Sequence, residues 1–121
     1  MSLNSMSKEI HDNAVEHGWW DEERSFGEII ALCHSELSEA LEEYRSNRPF
    51  EYADDFENDE RIINPNNFGG HKPEGIAVEM ADCIIRILDW CVKENIDIDN
   101  IIKRKMEYNK TRTYRHGGKV L

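Results

Sequence analysis

The chain has 121 residues, of which 33% are charged and 39% hydrophobic, and it carries a formal net charge of -10 with a sequence pI of about 4.9. So acidic a surface repels DNA, RNA and anionic membranes, which sets aside nucleic-acid polymers and membranes as general partners. A polyanionic small molecule is a substrate for such a chain only where a divalent cation and local Lys or Arg offset the repulsion.

At this length one domain, 1–121, is expected, with a core small enough that any large apolar excess has to be buried against something else, as in an oligomer. The five residues Met1 to Ser5, ahead of Met6, read as an added leader. No apolar run of membrane-spanning length and no signal-peptide core is visible. Cys33, Cys83 and Cys91 form no CxxC pair and lie in apolar stretches. They read as buried thiols of a cytoplasmic protein.

Helical periodicity predicts four segments, roughly Ser5 to His17, Ser25 to Ser46, Pro73 to Glu94 and Asp97 to about Arg112. Ser25, with Glu28 three residues on, has the spacing of a capping box, and Asp97 is placed to cap the fourth helix, with Asn100 after it. Pro73 suits a first helical turn. The stretch 47–72, rich in Asp, Glu, Asn and Gly, shows no convincing alternating strand and reads as a long loop, partly ordered by Phe50, Tyr52, Phe56 and Phe68. Trp19 and Trp20 read as packing residues.

At about 100° per residue, Phe26, Ile30, Cys33, Leu37, Leu41 and Tyr44 share one face of the second helix and form its expected core face. Glu36, Glu39 and Glu43 continue the shoulder beside it. The third helix is apolar nearly all round, with Ala77, Ala81, Ile84, Ile85, Leu88 and Val92 on one side and Cys83, Ile87 and Trp90 on the other. Its one polar strip holds Glu79, Asp82, Arg86, Asp89 and Lys93. A helix of this kind has to be surrounded, which predicts an oligomer packed across it.

Two motifs carry candidate chemistry, Glu36-Leu-Ser-Glu39 and Glu79-Met-Ala-Asp82. Acids at i and i+3 share a helix face and repel, so two such pairs on packed helices call for a cation between them, and Mg²⁺ is the cation that prefers carboxylate and water oxygens. The plain alternative for either motif alone is solvated surface, with Arg86 pairing Asp82 and Asp89 in a salt-bridge strip. A basic cluster follows: Lys105, Asn109 and Arg112 on one helix face, then His116 and Lys119 around the Gly117-Gly118 pair. Such groups bind phosphate and sugar oxygens, though a basic helix C-terminus also complements the helix dipole. His11, His17, His34, His71 and His116 are too scattered for a transition-metal site, and no Walker A loop occurs.

The ordered set of Glu36-x-x-Glu39, Glu79-x-x-Asp82 and the Lys105…Asn109…Arg112 face, with Tyr114-Arg-His116-Gly-Gly-Lys119 after it, resembles the MazG-like all-α nucleoside triphosphate pyrophosphohydrolases over roughly Phe26 to Lys119. The chain departs from the family's pattern at Ser35, where a further Glu is common, and in the length of 47–72. The resemblance implies a four-helix bundle completed by dimer or tetramer formation. It also implies hydrolysis of a (deoxy)nucleoside triphosphate to the monophosphate and pyrophosphate, as in nucleotide-pool housecleaning. Carried over by position, it makes Glu36, Glu39, Glu79 and Asp82 ligands of Mg²⁺, with Mn²⁺ as the alternative, and Lys105, Asn109 and Arg112 contacts to phosphate or sugar. His116 and Lys119 complete the expected substrate contacts, and Glu39, furthest from the core face, is the expected catalytic group acting on water.

Two rivals stand beside this reading. A di-iron carboxylate bundle needs Glu-x-x-His pairs, and the chain has none. A non-catalytic acidic adaptor would use the apolar third helix and the long loop to bind a protein.

Overall fold

The computed structural model describes residues 2–112. The chain order is α1 (Leu3–Glu16), α2 (Phe26–Arg45), β1 (Tyr52–Asp55), β2 (Glu60–Ile63), α3 (Ile76–Lys93) and α4 (Ile98–Lys110). Among the described residues the architecture is therefore mostly helical, with four helices and one small two-stranded sheet. No helix among the described residues is long and apolar enough to cross a membrane.

The chain divides into two compact units, Gly18–Ile87 and the described residues of Met1–His17 with Leu88–Leu121. In the second of these, two aspartates of the α4 N-terminus serve both helices. The Asp97 side chain accepts from the Asn100 N–H at 3.1 Å and from Asn4 Nδ2 at 2.8 Å. The Asp99 carboxylate accepts from the backbone N–H groups of Leu3 and Asn4, both at 3.0 Å. Unsatisfied N–H groups and the positive dipole end of each helix are thereby met by carboxylates. Further along, His11 Nδ1 of α1 lies 2.7 Å from Asp89 Oδ1 of α3, with Asp89 buried.

In the unit Gly18–Ile87, α2 starts where the capping box places it. The Ser25 hydroxyl accepts from the Glu28 N–H at 3.1 Å. Of the expected core face of α2, Cys33 is buried and the remaining members are turned outward. Ile29, Cys33, Glu36, Ala40 and Glu43 are buried, while Ile30, Leu37, Leu41 and Tyr44 are 36%, 48%, 49% and 69% exposed and Phe26 is exposed as well. The two stripes lie one residue apart on the helix, about 100° of rotation. The inner stripe carries the small side chains Cys33 and Ala40, which admit a close neighbour, and Cys33 Sγ lies 4.0 Å from the backbone oxygen of Cys83 on α3. On α3 itself Cys83 is buried, while Met80, Ile84, Ile85 and Ile87 are exposed.

The stretch 47–72 is not a plain loop. β1 and β2 pair antiparallel, with Tyr52 opposite Ile63 and Asp54 opposite Arg61. The connecting turn is held by Asp55, whose carboxylate accepts from Asn58 N–H at 3.2 Å and Nδ2 at 2.8 Å, and Asp59 takes a φ of 52°. Cross-strand Arg61 donates to Asp54 at 2.6 and 3.1 Å and lies over the Tyr52 ring, 4.3 Å from its centroid. The sequence Tyr-Ala-Asp-Asp lacks alternation and is rich in a residue that strands disfavour, so its pairing is invisible to a period-2 search.

This hairpin sets the start of α3. Tyr52 and Glu74 exchange backbone hydrogen bonds, each 2.9 Å, and the Ala77 N–H donates to the Phe50 oxygen at 2.9 Å. Pro73 accordingly lies in the segment before the helix and not in its first turn. Gly75 makes the corner at a φ of +115°, and a Cβ there would stand 2.3 Å from the Phe50 oxygen. Glycine is the residue that tolerates both the angle and the approach.

Candidate metal centre

Glu36 and Glu39 lie one turn apart on α2, and Glu79 lies on the first turn of α3. Each offers an oxygen such that all three atoms fall within 4.8 Å of one another. Glu36 is buried, Glu79 half-buried and Glu39 exposed, so the cluster opens from the interior toward solvent. The i, i+3 spacing provides the α2 pair, and the close approach of the two helices at Cys33 and Cys83 brings in the third carboxylate.

Three carboxylates at this separation cannot all carry charge without compensation. The Glu79 carboxyl is accordingly pushed up to about 8 by burial, by hydrogen bonds shared with Glu39 and Glu36, and by the charges of Glu39 and Asp82. Asp82, the next acid along α3, is also raised, by burial and the charge of Glu36, against the opposing effects of Arg86 and Lys72. Among the sequence-derived ligands, Glu36, Glu39 and Glu79 form the tight group, and Asp82 stands beside it as an electrostatic neighbour. The donors are all carboxylate oxygens, a set that suits a hard divalent cation such as Mg²⁺ or Mn²⁺ with its remaining positions open to water or phosphate.

Arg86 is placed differently from the salt-bridge strip suggested by the α3 wheel. Its Nε and Nη2 both lie 3.0 Å from Oε1 of Glu36 on the other helix. Asp89 is met instead by His11. Arg86 also lies over the Trp19 ring at 5.3 Å, and Arg24 covers the same ring at 3.5 Å. Arg24 is anchored in turn by its Nε to the Trp19 oxygen at 2.9 Å and by Nη1 to Glu28 at 2.7 Å. Periodicity along α3 shows that Arg86 belongs to the polar strip, but its partner fifty positions away depends on how α2 and α3 meet.

Lys105 and Asn109 lie on α4 and are exposed, and Arg112 follows just past the helix end, its N–H donating to the Asn109 oxygen at 3.3 Å. Lys105 Nζ and the Arg112 guanidinium both lie over the Tyr108 ring, at 4.8 and 5.8 Å. These residues belong to the unit that contains α4, and the acidic cluster belongs to the unit Gly18–Ile87. His116 and Lys119 lie outside the described residues.

The three cysteines are free and buried. Burial pushes the Cys33 and Cys91 thiols up, which keeps them protonated and unreactive. Comparison of the chain with models of known protein families, with curated proteins and with solved structures finds no match in any of the three.

Proposed function

We propose that this chain is a Mg²⁺-dependent nucleoside triphosphate pyrophosphohydrolase, with Mn²⁺ as an alternative cation, that releases a nucleoside monophosphate and pyrophosphate. One observation carries the reading: Glu36, Glu39 and Glu79, from motifs far apart in the chain, present oxygens within 4.8 Å of one another. The order of those motifs resembles that of the MazG-like enzymes. In a protein of net charge -10, a triphosphate is held only with cations to offset its charge.

Glu36, Glu39 and Glu79 would hold the divalent ion, with Asp82 as a further ligand or charge. When bound, that ion supplies neutralisation of the triphosphate and of the departing pyrophosphate. Glu39, the exposed member, accepts a hydrogen bond from a water and takes its proton as the water oxygen bonds to the α-phosphorus. The bridging bond between the α-phosphorus and the β-phosphate oxygen breaks, and pyrophosphate leaves with the electron pair. Lys105, Asn109 and Arg112, with His116 and Lys119, are the proposed contacts to phosphate and sugar. The proposed role is removal of unwanted nucleotides from a cytoplasmic pool, a setting consistent with three free buried thiols.

A homodimer or homotetramer belongs to the same proposal. On α3, across which the assembly is expected to pack, Met80, Ile84, Ile85 and Ile87 are exposed, as is the α2 stripe of Ile30, Leu37, Leu41 and Tyr44, an arrangement that water penalises and that a second copy would cover.

The deciding experiment is an assay for pyrophosphate release from a panel of ribo- and deoxyribonucleoside triphosphates in millimolar Mg²⁺, with an EDTA control. Metal-dependent formation of monophosphate and pyrophosphate supports the reading, and a folded protein silent across the panel rejects it. The exposed apolar residues of α3, Met80, Ile84, Ile85 and Ile87, also favour a second reading, a non-catalytic adaptor that binds a protein through the third helix and the 47–72 segment. Asp82→Asn separates the two, because it weakens a metal-dependent activity and leaves adaptor binding intact.

A further inference from the structure

We infer that Arg86 is a positioning residue for the metal centre, holding Glu36 by one oxygen so that the other is presented to the cation, and that Trp19 keeps Arg86 in place. The inference rests on the metal-dependent reading above and adds a residue outside its ligand set.

The geometry of the pair is informative. An arginine often meets a carboxylate fork to fork, taking both oxygens. Here Nε and Nη2 converge on Oε1 of Glu36, each at 3.0 Å, so neither of these two bonds uses Oε2. Glu36 is also the most buried of the three clustered acids. A buried glutamate has several rotamers open to it, and a two-bond hold on one oxygen selects among them.

Arg86 is itself restrained. Its guanidinium lies over the Trp19 ring, and that ring is fixed from the α2 side by Arg24, which binds the Trp19 backbone oxygen and Glu28 in the first turn of α2. Glu28 and Glu36 share a helix, so the path runs from α2 through Arg24, Trp19 and Arg86 back to Glu36. A planar guanidinium can stack on an indole and aim two N–H groups at one oxygen, whereas a lysine ammonium offers a point charge without that fork.

Charge and position act on metal binding with opposite signs, which makes the idea testable. A cation beside the ligands repels a divalent ion, so if Arg86 were only a countercharge its removal would tighten metal binding. If Arg86 orients Glu36, its removal weakens metal binding, by about 10- to 100-fold if it behaves like other residues that orient metal ligands.

The experiment measures Mn²⁺ binding to the full chain by electron paramagnetic resonance, without nucleotide, for the wild type, Arg86→Ala, Arg86→Lys and Trp19→Leu. Circular dichroism confirms that each variant is folded. Weaker binding in Arg86→Ala, an incomplete rescue by Arg86→Lys and a smaller loss in Trp19→Leu are expected. Equal or tighter Mn²⁺ binding in folded Arg86→Ala overturns the inference while the metal-dependent reading stands. Should Arg86→Ala fail to fold, Arg86→Lys decides, and wild-type affinity in it overturns the role of the fork. Absence of Mn²⁺ binding in the wild type rejects the metal-dependent reading and the inference with it.

Discussion

The Tyr52 hydroxyl donates to the Glu43 carboxylate, 3.0 Å from Oε2 and 3.1 Å from Oε1, with both residues buried. This bond ties the hairpin to α2 two turns beyond Glu36. Burial and the bond to Glu43 together push the Tyr52 phenol up from its ordinary range, so it stays a donor. Tyr52→Phe leaves a buried carboxylate with the longer 3.4 Å contact to Arg48, and a loss of about 1–3 kcal/mol is expected. Urea denaturation measures it. An unchanged midpoint would mean that the bond contributes nothing net.

Gly75 offers a second test of the hairpin's hold on α3. At a φ of +115°, Gly75→Ala brings a Cβ to 2.3 Å from the Phe50 oxygen, and strain of this kind costs about 2 kcal/mol or more. The N-terminal turn of α3 carries Glu79, so weaker metal binding should accompany the lower stability. Thermal melts with and without Mg²⁺ read both effects.

The pH dependence of the metal-free protein follows from Glu79, whose carboxyl is pushed up to about 8 in the fold from an ordinary 4.5. Between these values the folded state binds more protons than the unfolded state, so stability present below about pH 4.5 is lost as pH rises through about 8. The melting temperature without metal should therefore fall across this window as far as Glu79 controls it. Glu79→Gln should flatten the slope. Divalent metal favours the ionised carboxylate and should oppose the fall. A slope identical in wild type and Glu79→Gln would assign it to other groups.

Glu39→Gln tests the proposed catalytic role. It retains one oxygen and removes the base, so a drop of about 10²–10⁴-fold in kcat is expected, together with a raised melting point for the metal-free form as repulsion within the cluster is relieved. Turnover near the wild-type value would exclude Glu39 as the group acting on water.

The proposed oligomer is tested on the α2 stripe. Leu37→Glu combined with Leu41→Glu places charge on an exposed apolar face, so the monomer should stay folded while the assembly dissociates. Sedimentation velocity distinguishes the states. A wild type that sediments as a monomer at micromolar concentration would reject the oligomer.

Much of the helical framework is legible along the chain because its causes are local. Ser25 caps α2 and Asp97 caps α4 through neighbours three residues away, and the spacing within Glu36-x-x-Glu39 puts both acids on one side of a helix whatever it packs against. The rest is decided between segments distant in sequence. The face of α2 bearing Cys33, Glu36 and Ala40 is the buried one, and the bulkier stripe through Leu37 and Tyr44 is exposed, a choice that hydrophobic periodicity does not reveal. The hairpin is tied in place through Tyr52, which bonds Glu43 and Glu74, partners that no period-2 pattern contains. Arg86 reaches Glu36, and His11 reaches Asp89, only once helices far apart in the chain have taken their register. Helical period is a property of the backbone and is written locally, whereas the facing of a helix and the pairing of its charges are free-energy choices among all available neighbours, and those neighbours exist only in the folded chain.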